Sequence, residues 1–181
     1  KDFFMKTRRE FIQGLIVSVG GVAALSACDG EGYINATSSE DVIRFYGKSE
    51  WQLVEKLADL IIPTTETVGA SDVNVVGYLD GLMFGWANEE TQAKHRLALK
   101  KISAHLSDAT NGNFLSAGMK GSEDALIQLD TEAFSDSNDW SGYRDFKSYV
   151  TSAYFATEKG AIEELKWVAI PGRWDPSVEL T

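Results

Sequence analysis

The sequence predicts an all-α fold: a single domain of about five amphipathic helices over residues 46–181, after a signal or anchor segment (1–28) and a tether (29–45). Three observations lead there. Apolar residues recur at helical spacing in five segments, few stretches alternate with period two, and Pro, Gly, Ser and Asn fall between the segments as caps and turns. Hydrophobic content of 44% and charged content of 24% are those of an ordinary globular chain. A body of about 150 residues makes one domain with a sizeable core.

Residues 1–28 read as an address. Lys6-Thr7-Arg8-Arg9-Glu10-Phe11 is a basic head, and residues 12–27 are uncharged and rich in Gly and Ala. A basic head before a short apolar run is an export signal. The run is shorter than the roughly 20 residues that span a bilayer comfortably. Arg8, Arg9 and Phe11 give it the pattern of a bacterial twin-arginine signal, a route known for carrying folded proteins. Leu25-Ser26-Ala27-Cys28 resembles a lipobox, and Cys28 is the single cysteine of the chain. Two acyl chains on Cys28 would anchor stably where one would not. The alternatives are an uncleaved membrane anchor and an unmodified thiol beside an ordinary cleavage site. Asp29 after the cysteine resembles an inner-membrane retention signal. Translation is expected to start at Met5 or upstream.

Residues 29–45 show little periodicity until Val42 and read as the tether. Ser49 is expected to cap the first helix with Gln52 as its box partner, and Trp51, Val54, Leu57, Ala58 and Ile61 form the inward stripe. Pro63 ends it. Thr64 to Ala70 is a loop. Ser71 is expected to cap a second helix with the stripe Val75, Val76, Leu79, Leu82, Met83 and Trp86. A third starts near Asn88, with Glu89 and Glu90 at its positive end, and runs to about Leu106 through Ala93, Leu97, Ala98 and Ile102. Lys94, Arg96, Lys100 and Lys101 read as its solvated face. Ser122 is expected to cap a fourth helix that turns Ala125, Leu126 and Leu129 inward. Ser141 opens a fifth, with Tyr143, Phe146, Val150, Tyr154 and Phe155 on one side, ended or kinked at Gly160.

Charge and motifs exclude several functions. Four of the 17 cations and two of the 27 anions lie in residues 1–28, so the remaining 153 residues carry a net charge of −12. That is the wrong sign for nucleic acid. One cysteine excludes an internal disulfide or a multi-cysteine metal site within this chain. No phosphate loop, nucleophile elbow, dinucleotide fingerprint or His-Glu-x-x-His occurs. His95 and His105 lie ten residues apart on one helix, about 15 Å along its axis, too far to share a metal, and are expected on its exposed surface. Asp136 to Gly142 fails as a calcium loop, since Trp140 and Ser141 fall where a ligand and a glycine belong. The pairs Glu89-Glu90 and Glu163-Glu164 point apart on a helix. The tail is richer. Trp167 and Trp174, with the turn Pro171-Gly172-Arg173, bring residue types enriched in binding hot spots; the other reading has both indoles closing the helical core.

Together these residues resemble the gluconate 2-dehydrogenase subunit 3 family. The likeness is carried by Arg8-Arg9-Glu10-Phe11 with its apolar run, by residues 57–70 (LADLIIPTTETVGA), and by Gly160-Ala161 through Trp167 with Ile170-Pro171-Gly172-Arg173-Trp174. Val68 stands where the family usually has proline. The lipobox departs from the better-known members. The resemblance implies a non-catalytic small subunit with no cofactor of its own. Its implied partner is a large FAD-binding flavoprotein of the glucose–methanol–choline type that oxidises a sugar, polyol or sugar acid. A cytochrome c subunit carrying haem c often accepts the electrons. The large subunit commonly lacks an export signal and crosses the membrane bound to the small one. A periplasmic, membrane-associated location follows, with Arg8, Arg9 and Phe11 for export, Cys28 for anchoring, and Trp167, Pro171, Gly172, Arg173 and Trp174 for partner contact. The rival readings are an independent periplasmic lipoprotein that binds a ligand or envelope protein, and an enzyme whose site forms only in three dimensions from groups such as Asp59, Asp80 or His105.

Overall fold

The computed structural model describes residues 42–135, 138–168 and 172. Five α-helices follow one another: α1 (Lys48–Ile61), α2 (Val75–Gly85), α3 (Glu89–Ala109), α4 (Met119–Ala133) and α5 (Ser141–Phe155). A 3₁₀ turn (Asn138–Trp140) leads into α5, and a π turn (Gly160–Glu164) follows it. The described residues contain no strand, and none of their helices is long and apolar enough to cross a membrane. The fold is all-α, as the periodicity predicts.

Helix α5 is the hub. It packs on each of the other four helices and on the π turn. Its buried stripe is Tyr143, Phe146, Val150, Ala153 and Tyr154, while Phe155 rolls to the rim at 37% exposure. Helix α2 is apolar nearly all round, as a central helix must be. Val75, Val76, Leu79 and Met83 are buried and Leu82 partly so, but Trp86, expected in the stripe, is 83% exposed just past the helix end.

Ser141 opens α5 as expected, but three other helix starts differ from the serines expected, for one physical reason. A cap needs an extended or left-handed backbone just before the first turn, and it need not come from Ser. Gly47 caps α1, and its N–H donates to the Glu50 carboxylate at 2.8 Å; Ser49 lies inside the helix. Asn74, at φ 52°, caps α2 and accepts from the Gly77 N–H at 3.1 Å, so the turn at Ser71 precedes the helix. Asn tolerates that left-handed geometry better than Ser. Gly118 caps α4, leaving Ser122 buried in the first turn with its hydroxyl donating to the Ala117 carbonyl. Asn88 caps α3 where the sequence places it, accepting from the Thr91 N–H.

Helix α3 is rotated from its expected face. Its buried residues are His95, Leu99, Ile102 and Leu106, and Leu97 is 69% exposed. His95 is therefore a core residue, not a surface one. Its Nε2 meets the Tyr46 hydroxyl at 2.8 Å, and the rings of Phe45, Tyr46, Phe146 and Tyr149 surround it at 5.7–6.2 Å between centroids. A single polar partner makes that burial tolerable.

The segment before α1 is part of this arrangement. Asp80 on α2 is fully buried, and its carboxylate accepts the backbone N–H groups of Arg44 (2.9 Å), Phe45 (2.9 Å) and Tyr46 (2.8 Å). Phe45 and Tyr46 are thereby seated in the core, and the Arg96 guanidinium lies 4.1 Å over the Phe45 ring. Arg96 also donates to the Phe45 carbonyl and to Glu50, so this cation of the expected solvated face clamps the entry segment. The last residues of the stretch read as tether thus belong to the packed domain.

Two outcomes follow. Asp80→Ala orphans three backbone donors at once and should cost about 3 kcal/mol or more of unfolding free energy in urea titrations, more than a surface Asp→Ala. Burial, the largest effect, with Arg96 nearby, holds His95 down at about 4, against an ordinary 6.5; Glu50 opposes them. The unfolded chain then binds the proton more readily, so stability is complete above pH 6.5 and drains as pH falls toward 4. The loss due to this group should reach about 3 kcal/mol, read as the difference in pH slope between the wild type and His95→Gln.

Candidate partner interface

The two described segments that carry the family resemblance meet in space. The first is the connection from α1 to α2. Pro63 cannot donate a hydrogen bond and restrains Ile62, whose own N–H closes on the Ala58 carbonyl. The chain then folds into a tied loop. The Ala70 N–H reaches back to the Ile62 carbonyl at 2.9 Å, and Thr65 donates to the Thr67 carbonyl at 3.0 Å. Asp72 accepts both the Thr64 hydroxyl (2.7 Å) and the Gly69 N–H (2.8 Å). These two bonds hold its carboxyl below the usual range. Asp59 accepts the Ser71 N–H at 3.0 Å. Gly69 is required by contact rather than by φ: a Cβ there would lie 2.6 Å from the Thr64 backbone nitrogen.

The second segment follows α5. Thr157 turns its hydroxyl onto the Tyr154 carbonyl at 2.7 Å and accepts from the Gly160 N–H at 3.1 Å. A Cβ on Gly160 would come within 2.4 Å of that same carbonyl. The π turn therefore begins at a glycine, where the sequence places a break. Lys166 takes φ 52°, and the Trp167 N–H closes back onto the Ala161 carbonyl at 3.0 Å.

Two bonds join the segments. The Tyr154 phenol, almost fully buried, donates to the Val68 carbonyl at 2.7 Å, and the Thr67 hydroxyl donates to the Glu164 carboxylate. The phenol is held above its ordinary value first by desolvation and then by Glu164 and Glu163, so it remains a donor at neutral pH. Tyr154, a core residue of α5, is the bolt between loop and turn.

What this scaffold presents is apolar. Phe155 (37%), Ile162 (47%), Leu165 (57%), Trp167 (57%) and Val168 (62%) are all exposed, and the first four line a hollow of about 430 Å³ together with Ala161 and Glu158. A group of large exposed apolar side chains on one short segment marks a docking surface. Glu158 is the one carboxylate in the lining, with no His or Cys beside it, so the hollow holds no acid–base pair. Among the described residues no group of three or more His, Cys, Asp or Glu could hold a metal.

Of the residues expected to contact a partner, Trp167 stands exposed in this surface and is not a core indole. Gly172 is exposed at φ 70°, a left-handed position that suits glycine. Pro171, Arg173 and Trp174 lie outside the described residues, as do Arg8, Arg9, Phe11 and Cys28. Ile162, Leu165 and Val168 were not singled out by the sequence, and Phe155 was read as part of the α5 stripe; the recurrence of apolar residues at 162, 165 and 168 was the available clue. Asp59, Asp80 and His105, named for an enzymatic site, do not come together. Asp59 is bonded to the loop, Asp80 is consumed by backbone donors, and His105 packs edge-on to Trp140 with Glu132 at 3.8 Å.

The model of one protein family, Gluconate 2-dehydrogenase subunit 3, matches residues 48–172. The chain belongs to the gluconate 2-dehydrogenase subunit 3 family. No curated protein and no solved structure matches it. The match opens at the first residue of α1 and closes at Gly172, so it spans all five helices, the tied loop and the π turn. This subunit 3 domain thus includes both halves of the candidate interface. Within it, Gly69→Ala should lower stability by about 1–3 kcal/mol by forcing the loop open. Gly121→Ala, in the first turn of α4 with nothing within 4 Å of the added carbon, should raise it by up to about 1 kcal/mol. Thermal melts of the two variants provide the comparison.

Proposed function

We propose that this chain is the non-catalytic small subunit of a periplasmic, membrane-associated FAD-dependent dehydrogenase acting on gluconate, glucose, a glucoside or a polyol. In this reading it escorts the folded flavoprotein through twin-arginine export and stabilises it afterwards. The family match over residues 48–172 carries the proposal. The exposed apolar surface around Trp167 supports it, because such a surface is costly to leave in water and natural to cover with a partner. The redox chemistry belongs to the large glucose–methanol–choline-type subunit, which holds FAD, with a cytochrome c subunit as electron acceptor. Arg8, Arg9 and Phe11 supply the export signal and Cys28 the lipid anchor. The escort role has a physical rationale: FAD is inserted before export and needs a folded host, so export must carry a folded complex.

Co-expression with the flavoprotein tests the reading. Changing Arg8 and Arg9 to Lys should strand the flavoprotein in the cytoplasm, and Leu165→Ser with Trp167→Ser should reduce co-purified flavin by tenfold or more. Unchanged export of the flavoprotein with the two lysines would remove the escort role. Carbohydrate turnover by this chain alone would remove the division of labour.

A further inference from the structure

Between α1 and α4 lies a cleft of about 730 Å³. Leu60 contributes to an apolar floor with Leu115 (41% exposed) and Met119 (69% exposed). Glu55, Asp59 and Glu123 place three carboxylates around it. The one cation in the lining, Lys56, is drawn to the carbonyls of Phe114 (2.6 Å), Ala117 (3.0 Å) and Leu115 (3.3 Å), where it ties the α3–α4 connection to α1. The cleft therefore offers apolar contact with negative charge at its edge. Pro63, Thr64 and Ser71 of the tied loop form part of its wall, and the same loop is bonded to the π turn through Thr67 and to α5 through Val68. Cleft and hollow flank one loop.

We propose that this cleft receives a basic amphipathic helix of the partner subunit, with apolar side chains on Leu60, Leu115 and Met119 and Lys or Arg side chains over Glu55, Asp59 and Glu123. This rests on the reading of the chain as a subunit. A groove between two helices accepts a third through residues spaced i, i+3, i+4 and i+7. The carboxylates select for cations and steer their approach. A second copy of this chain is a poor occupant, since its net charge is −10 and a two-fold contact would set the same carboxylates against each other.

The test uses the full chain and a labelled synthetic Leu/Lys amphipathic helix, followed by fluorescence anisotropy. Binding should weaken as salt is raised, fall about tenfold in Met119→Lys/Glu123→Lys, and stay unchanged in Trp167→Ser. A Leu/Glu peptide of the same pattern should not bind. Equal binding of the two peptides, or an affinity unmoved by the double variant, would overturn the proposal. So would tighter binding of a peptide of residues 6–25 that the double variant abolishes, because the occupant would then be the chain's own leader. Co-purification separates the two readings. Flavoprotein retained in full by the double variant removes the cleft's role and leaves the subunit role standing, whereas no flavoprotein with the wild type removes the subunit role.

Discussion

A carboxylate with no exposed surface is an expensive thing to place at the centre of a helical bundle, and the arrangement around Asp80 shows how the cost is met. An ionised carboxylate taken from water must be given donors of comparable strength. Here the donors are three consecutive backbone N–H groups from residues 44–46. Those groups precede the first helical turn and have no helical partner of their own. Two deficits cancel, and the seating of Phe45 and Tyr46 follows. With Tyr46 in place, the His95 ring has its hydrogen-bond partner; with Phe45 in place, Arg96 has a ring to cover and a carbonyl to clamp. The rotation of α3 toward α5 is set from this corner.

That dependence also explains what could and could not be anticipated from the amino-acid order. Helix positions were legible because apolar spacing is local: Trp51, Val54, Leu57 and Ala58 on α1, or Ala125, Leu126 and Leu129 on α4, lie on one face of any regular helix. The face of α3 was not legible. Ala93, Leu97, Ala98 and Ile102 make as good a stripe as His95, Leu99, Ile102 and Leu106, and the partner that favours the second, Tyr46 against His95, lies 49 residues away in sequence. Caps failed for a related reason. Ser, Gly and Asn all satisfy an early turn, so the choice among neighbouring candidates falls to the loop that precedes it. In the candidate interface, Trp167 was legible as a residue type, but the tie between Val68 and Tyr154 spans 86 residues and leaves no local trace.

The division between core and surface bears on function. The groups whose protonation burial shifts most are engaged in structure: His95 with Tyr46 and Tyr143 with Asp130. What this subunit 3 domain leaves facing outward is apolar area on a rigid turn. The tied loop makes that turn rigid from beneath, so little conformational freedom remains to be lost when a partner covers it.

The attachment at residues 44–46 has a mechanical corollary. The described chain enters the bundle through residues 44–46, whose three consecutive N–H groups share a single acceptor side chain on a buried helix. A pull on the chain at Val42 would meet these bonds, and with them the middle of the bundle, before it reached the start of α1.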